Sequence, residues 1–589
     1  MEKTLFKGGS FIIDNLEPHD IVTPEDFTDE QKMFKKTAAD FLEGEILTRE
    51  EDIEKLDYEL TVQLMRQAGE LGLLGADVPE EYGGLALDKV SSGIIAETMA
   101  RTASFSLSVG AHTGIGTGPI IFFGNDDQKA KYLPLLATGE KIAAYCLTEP
   151  GSGSDAMAAK TTATLSEDGQ HYILNGSKVY ITNGAFADIF IVYAKIDGEK
   201  FTGFIVEKEY EGFKIGAEEK KMGIKGSSTV PLYFEDMKVP VENVLGEIGK
   251  GHLIAFNILN LGRYKLAAGC LGASKEAISI SSEFANTREQ FKRPISKFPL
   301  IQSKLAEMNI KTFVTESMFY RTSGLLDDAL EAVDPADTDK MKNAKAIGDY
   351  AIECSINKVF SSEALDFIVD EGVQIHGGSG FIQEYKIERM YRDARINRIF
   401  EGTNEINRLI IPGTLVRKAL KGELPLMNKL QALQGELVSF RSQQVFDGLL
   451  SKETYLLDNV KKLFLMVGGL AVQKYGEKLD KEQEILAAIS DLMISAFAME
   501  SVLLRTKKQL AKDDSKDYLS VAMTQVYIQE TFEEMMKVGK HALAAMEEGD
   551  SLHTQMSIVR KMARFTPDNL VELKRNIAAQ VITKQQYCV

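Results

Sequence analysis

Cysteine is scarce in this chain: Cys146, Cys270, Cys354 and Cys588 are the only four in 589 residues. They lie far apart and form no C-x-x-C pair. That excludes a sequence-readable zinc site or disulfide framework and fits a reducing cytosol. Tryptophan is absent altogether. A basic surplus is also missing, since 68 Lys and Arg stand against 86 Asp and Glu, a formal net charge of -18. Nucleic acid is therefore not an expected partner, because neutralising phosphates needs a basic surface. An anionic small ligand stays allowed, because the local field matters more than the total. No uninterrupted apolar run reaches the length of a membrane span, and MEKTLFKGGSFIID has no long apolar h-region, so a cytoplasmic protein is expected. Ser-His-Asp ordering, H-E-x-x-H, a Walker-A loop and an EF-hand loop are all missing, which removes the commonest hydrolase, zinc-peptidase and NTPase readings.

What is present is ordinary globular composition, 44% hydrophobic and 26% charged, in a chain long enough for three or four domains. From about Thr28 to Lys141 the pattern is helical, opened by Thr28 as an N-cap with Phe34, Ala38, Phe41 and Leu42 near one face. HTGIGTGP, residues 112–119, matches no dinucleotide fingerprint and reads as a loop. Between Ala143 and Asn243 short β-rich runs alternate with turn residues, the pattern of an antiparallel sheet or small barrel. Asn175-Gly176 and Asn183-Gly184 are its strongest turn signals. Helical periodicity returns from about Gly251 to Leu415, with a break expected near Pro294 or Pro299. More helices follow a variable-looking stretch at 421–450. The expected domains are 1–142 (helical), 143–250 (β), 251–420 (helical bundle) and 421–589 (additional helices).

Four stretches carry candidate chemistry. YCLTEPGSGSDA, residues 145–156, combines hydroxyls with glycines that let a ligand approach the backbone. In KVYITNGAFADIFIVYAK, residues 178–195, Tyr180 and Thr182 share a strand face and suit a flat ligand. VQIHGGSGF, residues 373–381, again exposes glycine backbone. In RIFEGTNEI, residues 398–406, Glu401 sits between Phe400 and Gly402, and a carboxylate beside apolar groups is the arrangement that makes a base. Each alone is also readable as structure: a turn, a core tyrosine, a satisfied histidine, a solvated glutamate.

Taken together, with KMGIKGSSTVPLYFEDMKVP, NLGRYKLAAG and TREQFKRPI between them in fixed order, these motifs resemble the acyl-CoA dehydrogenase family. FPLIQSKLAEM, TESM and the helical tail look most like its very-long-chain branch. The resemblance implies a mainly α fold with a central β-domain: an N-terminal helical domain, a middle β-barrel-like domain, a C-terminal helical bundle and an extra C-terminal helical domain. It implies FAD, oxidation of a long-chain acyl-CoA to the trans-2-enoyl-CoA, electron-transfer flavoprotein as acceptor, and a homodimer. An acyl-CoA oxidase, or a family member acting mainly as an assembly or binding protein, remain open alternatives.

The resemblance also implies roles residue by residue. Glu401 is the base that takes the substrate α-proton. Tyr145, Leu147, Thr148, Gly153 and Ser154 match the flavin-contacting loop, with Ser154 near the substrate as well. Tyr180, Ile181 and Thr182 match the segment beside the flavin ring; many members have Trp where this chain has Tyr180. Arg288 and Phe291, with Gln374, Gly377 and Gly378, match contacts on the ADP side, usually drawn from two subunits. Thr403 and Asn404 match the pyrophosphate and adenosine side. Asn260 and Arg263 match the CoA side, and Phe400 and Gly402 flank the thioester. Gly262 stands where a minority of members carry their base, which leaves Glu401 for that task. No metal is implied. Leu426, Leu430, Leu433 and Leu437, at helical spacing in a stretch linked to membranes in the very-long-chain branch, are expected to pack on protein instead, because the segment lacks a basic polar face.

Overall fold

The computed structural model describes residues 5–589 apart from 335, 336, 338, 340, 439–441, 443, 444 and 513–517. The first helical block opens with Asp29–Phe41, whose N-cap Thr28 accepts from the Gln31 N–H (3.2 Å) while Gln31 Oε1 accepts from the Thr28 N–H (3.1 Å). This reciprocal cap satisfies two otherwise orphaned donors. Helices Tyr58–Glu70, Lys89–Met99, Ala103–Gly110 and Asp126–Ala137 complete the block.

The stretch expected as a loop, 112–119, is instead a wide helical turn over Ala111–Gly116 running into the helix Gly118–Phe123. Packing decides this. His112 is buried; its Nδ1 accepts from the Ala143 N–H (3.0 Å) and its Nε2 lies 3.0 Å from the Leu136 carbonyl. A Cβ on Gly116 would stand 2.7 Å from that of Ala143, so glycine permits the approach. Burial pushes the His112 pKa down to about 4 and keeps the ring neutral.

The middle domain is one eight-stranded sheet. Its strands are β1 Ala143–Cys146, β2 Thr162–Leu165, β3 His171–Thr182, β4 Ile189–Ile196, β5 Lys200–Glu207, β6 Phe213–Ile215, β7 Thr229–Pro240 and β8 Val244–Leu245. The order is β6-β7-β3-β2-β4-β5-β8, with β1 added parallel to β4. Asn183-Gly184 is a true turn at the end of β3, with Asn183 at φ 64°. Asn175-Gly176 is not: it lies inside β3, where the register against β7 shifts between Leu174 and Gly176. A Cβ on Gly176 would meet Thr161 Oγ1 at 2.6 Å, so this glycine serves a bulge and a close approach rather than a reversal.

The helical bundle is built on Gly251–Thr287, Pro299–Glu331 and Ala351–His376. The first is long because nothing in it breaks a helix. A small hairpin, Glu289–Gln290 with Arg293–Pro294, follows it, and Pro299 then takes the first position of the next helix, where its missing N–H costs nothing. The additional helices share one core with the bundle: Phe313, Val314 and Ile356 pack in the same cluster as Leu463, Phe497 and Phe532. Phe11, Ile12 and Ile13 join that cluster. Phe6, Val22 and Phe27 pack instead against the cluster that holds Val90 and Ile94 of the first block, so the segment before Thr28 touches both the first block and the C-terminal helices.

Helix Leu426–Val438 lays Leu433 into the same core, with Leu426, Leu430 and Leu437 half-buried against it. A Cβ on Gly469 would lie 2.8 Å from Leu430 Cδ2. Residues 439 and 440 of this stretch lie outside the described residues. Among the described residues one helix, Gln483–Lys512, is long and apolar enough by composition to cross a membrane, although Asp491 and Glu500 interrupt its apolar run. However, 83% of its most apolar window is buried inside the protein, as in a core helix.

Candidate active site

Glu401 lies between the helical turn Arg395–Arg398 and the helix Asn404–Leu420. Its φ is 57°, and Gly402 follows at 76°. Two successive left-handed residues are unstable on their own, and for a non-glycine the conformation costs about 1–2 kcal/mol. Fastenings from three directions hold them. Arg263 Nε donates to the Glu401 carbonyl (3.2 Å), Asn407 Nδ2 donates to the Gly402 and Thr403 carbonyls (2.8 and 3.0 Å), and Lys358 Nζ donates to the Gly402 carbonyl (2.8 Å). Thr403 caps the following helix by accepting from the Ile406 N–H (3.2 Å).

This loop aims the Glu401 carboxylate at the long helix. A Cβ on Gly262 would stand only 2.5 Å from Glu401 Oε2, and that buried oxygen has no hydrogen-bond partner among the described residues. Burial raises the Glu401 pKa to about 7, with Arg263 and then Lys358 pulling against it. Lys358 is pushed down to about 8 by burial. Glu405, in contrast, is exposed on the first turn of its helix.

A cavity of about 180 Å³ opens at Glu401 and Phe400. One wall is the long helix, through Gly262, Leu266, Gly269 and Ala273. The other includes Ala103, Leu107 and Ala111 from the first helical block, including the turn expected as a loop. Thr182, at the end of β3, also reaches it. Carbon and glycine dominate the walls beside Glu401, which suits a hydrocarbon chain.

On the sheet side, β1 and β3 converge. The Val179 N–H donates to the Thr148 carbonyl (2.9 Å), so the 148–154 loop and the 180–182 corner sit side by side. Gly153 and Ser154 are exposed, and Thr148 and Thr182 are half-buried. Tyr180 is 66% exposed at φ 61°, an uncommon conformation for an aromatic residue that turns its ring outward. Tyr145, Leu147 and Ile181 are buried, with the Tyr145 ring edge-on to Tyr193 (5.4 Å). These three support the loop from beneath rather than presenting open side chains.

Three expected contacts are placed differently. Asn404 is buried with both ends of its amide engaged: Oδ1 accepts from Lys358 Nζ (2.7 Å) and Nδ2 donates to Ser362 and Glu363 (3.1 and 3.0 Å). It ties the loop down and presents no open group to a cofactor. Asn260 and Arg263, expected on the CoA side, are also buried, and Arg263 Nη1 donates to Asn260 Oδ1 (2.8 Å). They stand behind the Glu401 loop.

Arg288, Phe291, Gln374, Gly377 and Gly378 gather elsewhere, at the far ends of two helices whose Phe284 and His376 rings stack at 4.2 Å. From Gly262 to Thr287 the helix rises roughly 37 Å at about 1.5 Å per residue. These groups thus lie at the far end of the long helix from Gly262, the residue that faces Glu401. Phe291 is 88% exposed, and a Cβ on Gly377 or Gly378 would meet nothing within 4 Å.

Residues not singled out in the sequence complete the site. Glu149 is a buried node: its carboxylate accepts from the Lys160 and Thr161 N–H groups (2.6 and 3.1 Å), Thr161 Oγ1 (2.6 Å) and Lys178 Nζ (2.8 Å). Burial would raise its pKa, but Lys178 and these donors hold it below the usual range. Both residues lie within quoted motifs, but nothing in the sequence pairs them. Lys358 had no such signal, since IECSINKVF mixes polar and apolar residues as an ordinary helix does.

Family models described as acyl-CoA dehydrogenase match the N-terminal domain over residues 28–140, the middle domain over 144–237 and C-terminal domains over 249–415 and 459–561. A probable acyl-CoA dehydrogenase of Bacillus subtilis (strain 168) is 56% identical over 585 residues, covering 99% of this chain and 98% of that protein. The chain belongs to the acyl-CoA dehydrogenase family. The very long-chain specific acyl-CoA dehydrogenase of Rattus norvegicus is 37% identical over 86% of this chain and 79% of its own length. A crystal structure of an acyl-CoA dehydrogenase from Bacillus anthracis, complexed with FAD, is 57% identical and superposes with a TM-score of 0.98, covering 99% of this chain and all of that one. This dehydrogenase is accordingly an FAD enzyme, and its residues fit the cofactor: hydroxyls at Thr148 and Thr182, an outward aromatic ring at Tyr180, and open glycine backbone at 153, 377 and 378.

Proposed function

We propose that this dehydrogenase carries out the α,β-dehydrogenation of long-chain fatty acyl-CoA to trans-2-enoyl-CoA, the first step of β-oxidation, and delivers the electrons to electron-transfer flavoprotein. The observation that carries this reading is Glu401 Oε2, buried without a hydrogen-bond partner among the described residues, at the head of a largely apolar cavity. The α-proton of a thioester is weakly acidic, so its removal needs a base whose pKa is near the working pH. Glu401, raised to about 7, meets that requirement, and an acyl chain filling the cavity excludes the water that would otherwise solvate it. Phe400 and Gly402 flank the thioester, and the Glu401 N–H is the donor for its carbonyl, where enolate charge develops. Arg263, Lys358 and Asn407 hold the loop so that this donor and the carboxylate keep their places.

FAD, when bound, supplies the hydride acceptor. Thr148, Ser154, Tyr180 and Thr182 of one chain would hold its flavin end. Arg288, Phe291, Gln374, Gly377 and Gly378 are too far along the helix to serve that same cofactor, so they hold the ADP end of a second copy's FAD, and the working unit is a homodimer. Exposed Phe291, Leu300 (81%) and Phe381 (84%) are the apolar surface that the second copy covers.

Anaerobic titration tests the reading. The yellow holoenzyme should bleach on adding palmitoyl-CoA, and reduction of electron-transfer flavoprotein should far exceed peroxide formation. Glu401→Gln should keep FAD and lose turnover by on the order of 10³-fold. A holoenzyme that bleaches with no acyl-CoA of any length would overturn it.

A further inference from the structure

The cavity below Glu401 has two ends of opposite character, and only the end at the base enters the chemistry above. Along the long helix, the lining residues Gly262, Leu266, Gly269 and Ala273 follow one another at helical spacing. The eleven steps from Gly262 to Ala273 amount to about 16 Å at about 1.5 Å each. Lys265 and Asp393 also line the cavity, and beyond Ala273 the long helix supplies no further lining residue. Glu276, one turn further, accepts from Arg101 Nε (2.9 Å) and Lys386 Nζ (3.1 Å). Arg389 pairs with Glu50 at 2.7 Å, and Lys386 lies 3.8 Å from the same Glu50. Glu50, Arg101, Lys386 and Arg389 all line the cavity. Arg101 also reaches outward to the exposed Glu43 (2.8 Å), so the cluster stands between the cavity and solvent.

We propose that this interlocked ion-pair cluster is the chain-length stop of the acyl site. The inference rests on the acyl-CoA reading of the cavity and adds the residues that set its length preference. Each methylene laid along the helix is taken out of water against carbon until the cluster is reached. A methyl group pressed into the cluster meets charged side chains to which it gives no hydrogen bond. A longer chain has to part the pairs to emerge. An extended chain advances about 1.25 Å per carbon, given C–C bonds of about 1.5 Å. The span of about 16 Å is about 13 carbon steps beyond an α-carbon held at Glu401, so a saturated acyl group of about 14–16 carbons reaches the stop, and longer ones collide with it. Four separate chain segments supply the cluster: the turn at Glu50, the connection at Arg101, the long helix at Glu276, and the helix Lys386–Ala394. It is therefore rigid enough to act as a wall while remaining breakable at single side chains.

The test is a chain-length series on the holoenzyme with a dye acceptor, reading the ratio of kcat/KM for a 20-carbon to a 14-carbon saturated acyl-CoA. The wild-type ratio should be well below one. Glu50→Ala with Arg389→Ala should raise it about tenfold, the low end of what one methylene in an apolar pocket contributes. Glu50→Gln, which keeps the shape, should move it in the same direction, and the charge swap Glu50→Arg with Arg389→Glu should return it toward the wild-type value. A merely structural defect lowers all lengths together and leaves the ratio still. An unchanged ratio in both opened variants, or a wild type that turns over both lengths equally, overturns the proposal. Loss of wild-type activity at every length would instead overturn the acyl-CoA reading itself.

Discussion

At the residue scale, Glu401 is defined by competing effects of similar size. Burial disfavours its charge, while Arg263 and Lys358 favour it, and the balance leaves its pKa near 7. A base works deprotonated, so kcat/KM should be full above about pH 7 and fall by about tenfold per pH unit below it. A pH profile of kcat/KM on the free enzyme checks this, and a flat profile down to pH 5 would contradict it. Gly262 is the companion prediction. A Cβ there meets Glu401 Oε2 at 2.5 Å, so Gly262→Ala should push the carboxylate aside and lower kcat by roughly 10²-fold, the sensitivity expected of an ångström-scale misplacement. Alanine is a better helix former than glycine by about 0.5–1 kcal/mol, so the melting temperature should not fall. Activity assay and thermal melt on one preparation separate the two effects.

At the scale of elements, the cofactor side depends on how the loop after β1 is held against β3. Lys178 and Glu149 are both buried, and their pairing joins the two quoted motifs. Lys178→Met leaves a carboxylate buried without its cation, which costs ~3–5 kcal/mol. The expected result is a clearly lower melting temperature and a lower flavin-to-protein ratio after dialysis. The double variant Glu149→Gln with Lys178→Met should recover part of both, because no uncompensated charge remains; a double variant worse than the single would refute the account. This scale also shows where sequence reading fails. Thr28 as a cap was legible because its partner, Gln31, is three residues away. The 112–119 turn was not, because its conformation is set by Ala143 and Leu136 through His112. Asn175-Gly176 looks like a reversal in one dimension, and only Thr161 across the sheet shows why the chain continues straight through it.

At the scale of the whole molecule, the additional C-terminal helices are welded on through buried charge as well as carbon. Arg505 is 1% exposed and pairs with Glu25 (2.6 Å) and Glu316 (2.8 Å), joining the leader, the bundle and the tail. Arg321 pairs with Glu500 (2.6 Å), which also accepts from Lys461 (2.6 Å). Unfolding should therefore be one transition, with no separate melting of residues beyond 420. Arg505→Met should lower stability by ~3–5 kcal/mol by stranding Glu316 and Glu25. Burial acts to raise the Glu316 pKa, but Lys275 and Arg505 override it and hold it well below the usual range. The stability this contributes is complete above the unfolded value of about 4.3 and is lost as pH falls further. Melting curves from pH 7 to 3 should show that loss, with a smaller acid dependence in Glu316→Gln.

The amino-acid sequence by itself determined the order of the domains and pointed to Glu401 as the candidate base. Helical and strand periodicities are local, and the ordered motifs needed no coordinates to be matched to a family. Tertiary structure alone decided what surrounds that base. The left-handed turn at Glu401, the Arg263, Lys358 and Asn407 fastenings, the bare Gly262 opposite it and the ion pairs closing its cavity come from segments tens to hundreds of residues apart. Only the packed chain brings them within a few ångströms, and at that range desolvation and charge set what the carboxylate can do.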